Sequence, residues 1–261
     1  MHSLPIKNRS GRIIGTHQKL DRIARKALSK LLKKNDYFPS AKEIVYFEGM
    51  RGPDGLKRKC PGVDEPTHFI IPDNDDKKLL TQVLDCQENL KKALKEENIE
   101  RAAFEASWLA HYLVDALTPA HHFPLTDKKE ELMSEKEYYE IFGHELRQIM
   151  RGDSPLETVK NNWTYYGKNG HMTKHFFFEY KIARILNTMK TKKLLPKLTK
   201  KELENNNLEK EFYTSVNKIY SLNLYNRYKD LGWTGKIDQE VKKILLPEIV
   251  KLITIAWYSC I

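Results

Sequence analysis

His111 and Asp115 stand four residues apart in the stretch AAFEASWLAHYLVDALTPAHH, residues 102–122. Four residues turn an α-helix through about 400°, so the two side chains leave it in nearly the same direction, one turn apart. Their neighbours, from Ala102 and Phe104 through Trp108, Leu109, Tyr112 and Leu113 to Leu117, are apolar or aromatic on every side, which predicts a helix buried all round. A carboxylate in such a helix is costly unless a cation or several donors satisfy it. A metal ion is one such partner, and a hydrogen-bonded His/Asp pair is the structural alternative. Pro119 lacks the N–H that would continue the helix, so the chain turns near Thr118 and brings His121 or His122 back towards the same place.

The same residue types recur at matching spacings. His175, Glu179, Ile182 and Leu186 share one helical stripe, which His171 extends by a turn. A His-x3-Glu pair facing inward presents a nitrogen and an oxygen to one ion, whereas an exposed pair of this kind adds little to stability. His17 sits one turn before Leu20 on the inner stripe of the first helix, and His68 precedes the apolar Phe69, Ile70 and Ile71. Glu48, Asp54, Asp64 and Glu65 add carboxylates in the same region. Collected, the inward candidates are His17, Asp54 or Glu48, His68, His111, Asp115, His121, His175 and Glu179. Imidazole and carboxylate ligands suit zinc better than manganese or iron. Cys60, Cys86 and Cys260 are too few and too scattered for a disulfide framework or a cysteine zinc site.

The elements that must position these residues read as helices throughout, with no convincing alternating strand. The first spans roughly 16–34, on a stripe of Leu20, Ile23, Ala24, Ala27, Leu28, Leu31 and Leu32. Residues 36–74 hold much Gly and Pro and read as a long loop folded back onto the core, since loops of that length usually build a site. Further helices are expected near 76–96, 102–118, 134–150, 171–189, 211–229 and 237–260. Residues 123–133 read as a polar lid or surface excursion, GDSP and NNWTYYGKNG as irregular connections, and 190–211 as a solvated, charged connector. The expectation is one all-α domain over residues 1–261, with residues 1–15 as an N-terminal extension.

With 40% hydrophobic residues in 261, the chain can bury a large core. Its net charge of +10 makes a phosphate-bearing partner or an anionic surface plausible, but the excess is spread along the chain, so it says little for nucleic-acid binding. The start, MHSLPIKNRSGR, has no apolar run of secretory type, which leaves the localisation open and cytoplasmic only by default. Neither the 102–118 helix, with Glu105 and Asp115, nor the C-terminal run, broken by Pro247 and Lys251, reads as a membrane span.

HYLVDALTPAH, carrying His111, Asp115 and His121, resembles the zinc-dependent phospholipase C family, whose fold is shared by single-strand nucleases. THFIIPDN around His68 is similar to a second ligand segment of that family, with Asp54 fourteen residues before His68. His17 corresponds to its N-terminal histidine ligand, and His175 with Glu179 to its later His-x3-Glu. The resemblance covers about residues 16–190 and is strongest over 108–122. It implies an all-α, single multi-helix bundle of the phospholipase C/nuclease type that holds two or three zinc ions. It also implies hydrolysis of a phosphodiester by metal-activated hydroxide, with Asp115 bridging metals and Asp54 binding one and acting as general base. The substrate would be a phospholipid, with peripheral membrane contact, or alternatively a single-stranded nucleic acid. Trp163, Tyr165, Tyr166 and Phe176 to Phe178 are expected at the rim, to stack a base or touch an acyl chain. A helical binding module that keeps the metal for stability is the reading from another class. Two features depart from the family: no Trp stands near the N-terminus to complete a third zinc site, and His144, paired with Gln148, competes with His175 and Glu179 for the later ligand position.

Overall fold

The structure is a computed structural model that describes residues 6–7, 13–34, 36–55, 68–72, 77–123, 132, 149–199, 203–204 and 207–261. Its architecture is all-helical apart from one antiparallel pair of two-residue strands, β1 (Ile6–Lys7) and β2 (Ile13–Ile14). The helices are α1 (Thr16–Leu28), α2 (Ala41–Tyr46), α3 (Lys78–Lys95), α4 (Ile99–Ala116), α5 (Pro155–Tyr166), α6 (His171–Thr188), α7 (Leu208–Ser221), α8 (Leu224–Leu231), α9 (Gly235–Glu240) and α10 (Leu246–Tyr258). Short 3-10 turns lie at Gly49–Arg51, Pro119–His122 and Thr191–Lys193. None of the described helices is long and apolar enough to cross a membrane.

The central helix is α4. The Asn98 side chain caps its start by accepting from Arg101 N, and beyond Ile99 its apolar residues are buried, Phe104 and Trp108 partly, as a stretch without a polar face requires. α3, α2, α1 and α10 pack around it, and Trp257 of α10 donates its indole N–H to the Ala106 carbonyl at 2.9 Å. One continuous hydrophobic core runs from Leu20 in α1 to Cys260 after α10.

Several boundaries differ from the sequence expectation. α1 ends at Leu28 rather than near 34, because Ser29 caps it and its hydroxyl donates to Lys26 O. Within 36–74, Ser40 and Glu43 cap each other reciprocally and start α2. The segment around Trp163 is not an irregular connection but α5: Ser154 accepts from Glu157 N, and Pro155 takes the first helical position. The connector is not wholly solvated, since Leu194 and Leu203 are buried and α7 already begins at Leu208. Residues 211–229 form two helices, α7 and α8, broken at Asn223, which is left-handed at φ 48°. A π-helical turn at Val241–Leu245 joins α9 to α10 just before Pro247, where the proline cannot donate within the ladder. The helix expected at 134–150 falls outside the described residues up to 148, and 149–150 are irregular. Cys60, Asp64, Glu65, His144, Gln148 and most of the 123–133 lid also lie outside the described residues.

Candidate metal centre

Six segments meet at one place. α1 supplies His17, the turn after α2 supplies Glu48 and Asp54, and the 68–72 segment supplies His68. α4 supplies His111 and Asp115, the 3-10 turn after it His121, and α6 His175 and Glu179. Proline stops α4 as expected: Thr118 O accepts from His121 N at 2.8 Å and the Thr118 hydroxyl donates to Val114 O at 2.8 Å. The turn then splits its two histidines. His121 enters the cluster, while His122 Nε2 donates to Ala116 O at 2.8 Å, and burial pushes its pKa down to about 4. Ile70 N donates to His121 O at 3.2 Å, which ties the His68 segment to the turn.

Asp115 is fully buried at the centre. Its Oδ1 lies 3.4 Å from His121 Nδ1 and 3.7 Å from His17 Nε2, and its Oδ2 lies 2.5 Å from His68 Nδ1 and 3.2 Å from His111 Nε2. Burial alone would push this carboxyl up, but nearby positive charge, to which the surrounding histidines contribute, outweighs it and holds it well below the usual range. Beside it, Glu179 Oε1 lies 3.0 Å from His175 Nε2 and 3.1 Å from His121 Nε2. Burial likewise opposes the charge of Glu179, but nearby positive charge, with contributions from His175 and the hydrogen bond to His121, holds its pKa well below normal.

Three groups of side chains converge closely enough for one ion each: His121, His175 and Glu179; His68, His111 and Asp115; and His17, Asp54 and His111. The first two share no residue. The third needs His111 again, and that ring has only one nitrogen left for the cluster, because its Nδ1 faces Glu48 at 3.2 Å. The residues therefore suit two separate ligand groups, one that includes Asp115 and one that includes Glu179. Glu48 and Asp54, interchangeable from the sequence, take different places: Glu48 meets His111 Nδ1, and Asp54 lies 3.8 Å from His111 Nε2.

Proton counting tests whether a metal fits. Burial lowers the pKa of His121 to about 4, so the ring carries one proton, yet both of its nitrogens face carboxylate oxygens. One lone pair is thus aimed towards a negative oxygen, an arrangement that a cation between them relieves. His68 Nε2, His175 Nδ1 and Asp54 Oδ2 are also buried without a hydrogen bond, against the usual satisfaction of buried polar atoms. The donor set fits zinc.

Sequence reasoning missed Asp21. It is fully buried, neither oxygen makes a hydrogen bond, and burial together with Glu48 pushes its pKa well above normal. Its spacing from His17 repeats that of Asp115 from His111, a signal the sequence did contain. His171 is half-buried and belongs to none of the three groups. Of the expected rim aromatics, Trp163, Tyr166 and Phe177 are exposed, whereas Tyr165 and Phe178 are buried in hydrophobic clusters.

Comparison of the chain with protein-family models, with curated proteins and with solved structures found no match.

Proposed function

We propose that this chain is a zinc-dependent hydrolase of phosphodiester bonds, of the phospholipase C type. The observation that carries the reading is Asp115, a buried carboxylate with ring nitrogens of four histidines within 3.7 Å and a separate His121, His175 and Glu179 group beside it. Such a set of imidazole and carboxylate groups would hold two divalent ions, and the likeness of HYLVDALTPAH to the phospholipase C motif points to the same chemistry.

His68, His111 and Asp115 would hold one zinc, and His121, His175 and Glu179 the other. Zinc supplies Lewis acidity, lowering the pKa of water towards about 7 and neutralising charge that builds on the phosphate oxygens. Glu48 accepts from His111 Nδ1 and so turns the other nitrogen towards the cluster. Asp54 is the most accessible carboxylate of the set, with 20% of its side chain exposed, and its Oδ2 makes no hydrogen bond. As general base it would accept the proton that the attacking water gives up as that water's oxygen bonds to phosphorus. The apolar walls of α4 keep bulk water from the buried side of the centre.

The test is zinc content per chain by elemental analysis, with turnover of phosphatidylcholine vesicles and of a single-stranded oligonucleotide assayed side by side. The wild type is expected to hold two zinc ions and to cleave the lipid, and His111→Ala and Asp115→Asn to lose metal and turnover together. Full metal retention by both variants overturns the proposal. Cleavage of the oligonucleotide alone overturns the lipid class. A metal whose removal lowers the melting temperature, with neither substrate cleaved, leaves a metal-stabilised helical binding protein.

A further inference from the structure

We infer that α5 is a docking surface for an anionic phospholipid bilayer, seated through Leu156, Val159 and Trp163. These side chains are 83%, 69% and 72% exposed and recur at helical spacings of three and four, so they form one stripe. Ile149 and Tyr166 extend it, and an open groove of about 490 Å³ runs between Ile149, Val159, Trp163 and Tyr166. Elsewhere among the described residues, exposed large apolar side chains are distributed over distant parts of the chain: Tyr37, Tyr46, Ile99, Phe177, Leu231 and Ile261. A contiguous apolar stripe marks a contact surface, whereas single exposed residues are ordinary. Among the described residues no element covers the stripe, and the side of α5 that packs inward is the opposite one, through Asn161 and Tyr165.

Charge and composition choose the occupant. Residues 149–174 carry Arg151, Lys160, Lys168 and Lys174 against only Asp153 and Glu157, and Glu157 is engaged at the helix start, its Oε2 accepting from Asp153 N. Lys160 is exposed, one turn beyond Leu156 and one before Trp163. Trp and Tyr favour the boundary between headgroups and acyl chains, lysines reach from it to the headgroups, and each basic side chain near an anionic surface strengthens binding roughly fivefold. A stable protein interface engages about 20–30 residues a side, far more than this stripe offers. A single-strand platform needs successive aromatic faces, and Leu156 and Val159 have none. α5 also packs on α6, which carries His175 and Glu179. The docking needs no catalytic step, so it and the hydrolase reading fail separately.

The experiment is co-sedimentation of the full chain with phosphatidylcholine vesicles with and without phosphatidylserine, together with tryptophan quenching by brominated lipid. The wild type is expected to bind the serine-containing vesicles, more weakly at high salt, with quenching that Trp163→Phe removes. Leu156→Ser with Trp163→Ser should weaken binding at least tenfold, and Lys160→Glu severalfold, with unchanged helical circular dichroism. Absence of wild-type binding, equal binding by all variants, quenching that survives in Trp163→Phe, or a wild-type dimer that the double variant dissolves would each overturn the inference.

Discussion

His111 faces carboxylates with both ring nitrogens, Glu48 on one side and Asp115 and Asp54 on the other. Burial works against a charge on this ring, but Glu48 and Asp115 outweigh it and raise its pKa well above the ordinary value. A proton at Nε2 therefore occupies the place a zinc ion would take, and the two compete. Glu48 sets which nitrogen is left for the ion, and partners of this kind change metal affinity about 10–100-fold. Glu48→Gln keeps an acceptor for Gly49 N and for the ring but removes the charge. It is expected to weaken zinc binding about tenfold at neutral pH, measured by competition with a chromophoric chelator. Unchanged affinity would show that the ring is oriented without the carboxylate.

Between α5 and α6 the chain reverses within residues 167–170, and that turn places His175 one helical turn after the start of α6. Gly170 permits it: a Cβ there would stand 2.5 Å from the Tyr165 carbonyl oxygen, a backbone atom that cannot swing away. Gly170→Ala should destabilise the fold by roughly 1–3 kcal/mol, as overpacking of a close contact usually does, read as the denaturation midpoint in urea. An unchanged midpoint would mean that the turn relaxes freely. The element scale also explains why α5 was not foreseen. Its periodicity is split between an inward pair, Asn161 and Tyr165, and an outward apolar stripe, so no single apolar face announces a helix. The Ser154-Pro155-Leu156-Glu157 start was the better signal, because it states how the first turn is capped rather than which face is buried.

Across the whole molecule, α10 is fastened to α7 by Glu248, a nearly buried carboxylate that accepts from the Ser215 hydroxyl at 2.9 Å and from Lys218 Nζ. Lys251 adds a contact at 3.6 Å. Burial pushes Glu248 up, but Lys218 and Ser215 outweigh it and leave its pKa below 4.5. The unfolded chain therefore takes up this proton first as pH falls. The stabilising contribution is present in full above the unfolded value and is lost as pH drops through the folded one. Glu248→Gln is expected to cost about 1–2 kcal/mol at neutral pH, and the difference in melting temperature from the wild type should narrow below pH 4.5. A difference that stays constant down to pH 3 would assign the effect to packing.

Helical class, the burial of α4 and the inward phase of His17, His111, Asp115, His175 and Glu179 were legible in the chain by itself, because each depends on spacing within one helix. So was the turn at Pro119, which follows from a missing N–H. Only the tertiary structure decided that His121 rather than His122 enters the cluster, that Glu48 and Asp54 serve opposite nitrogens of His111, and that Asp21 lies buried nearby. Those outcomes depend on how separate segments approach one another, and local periodicity carries no information about that approach.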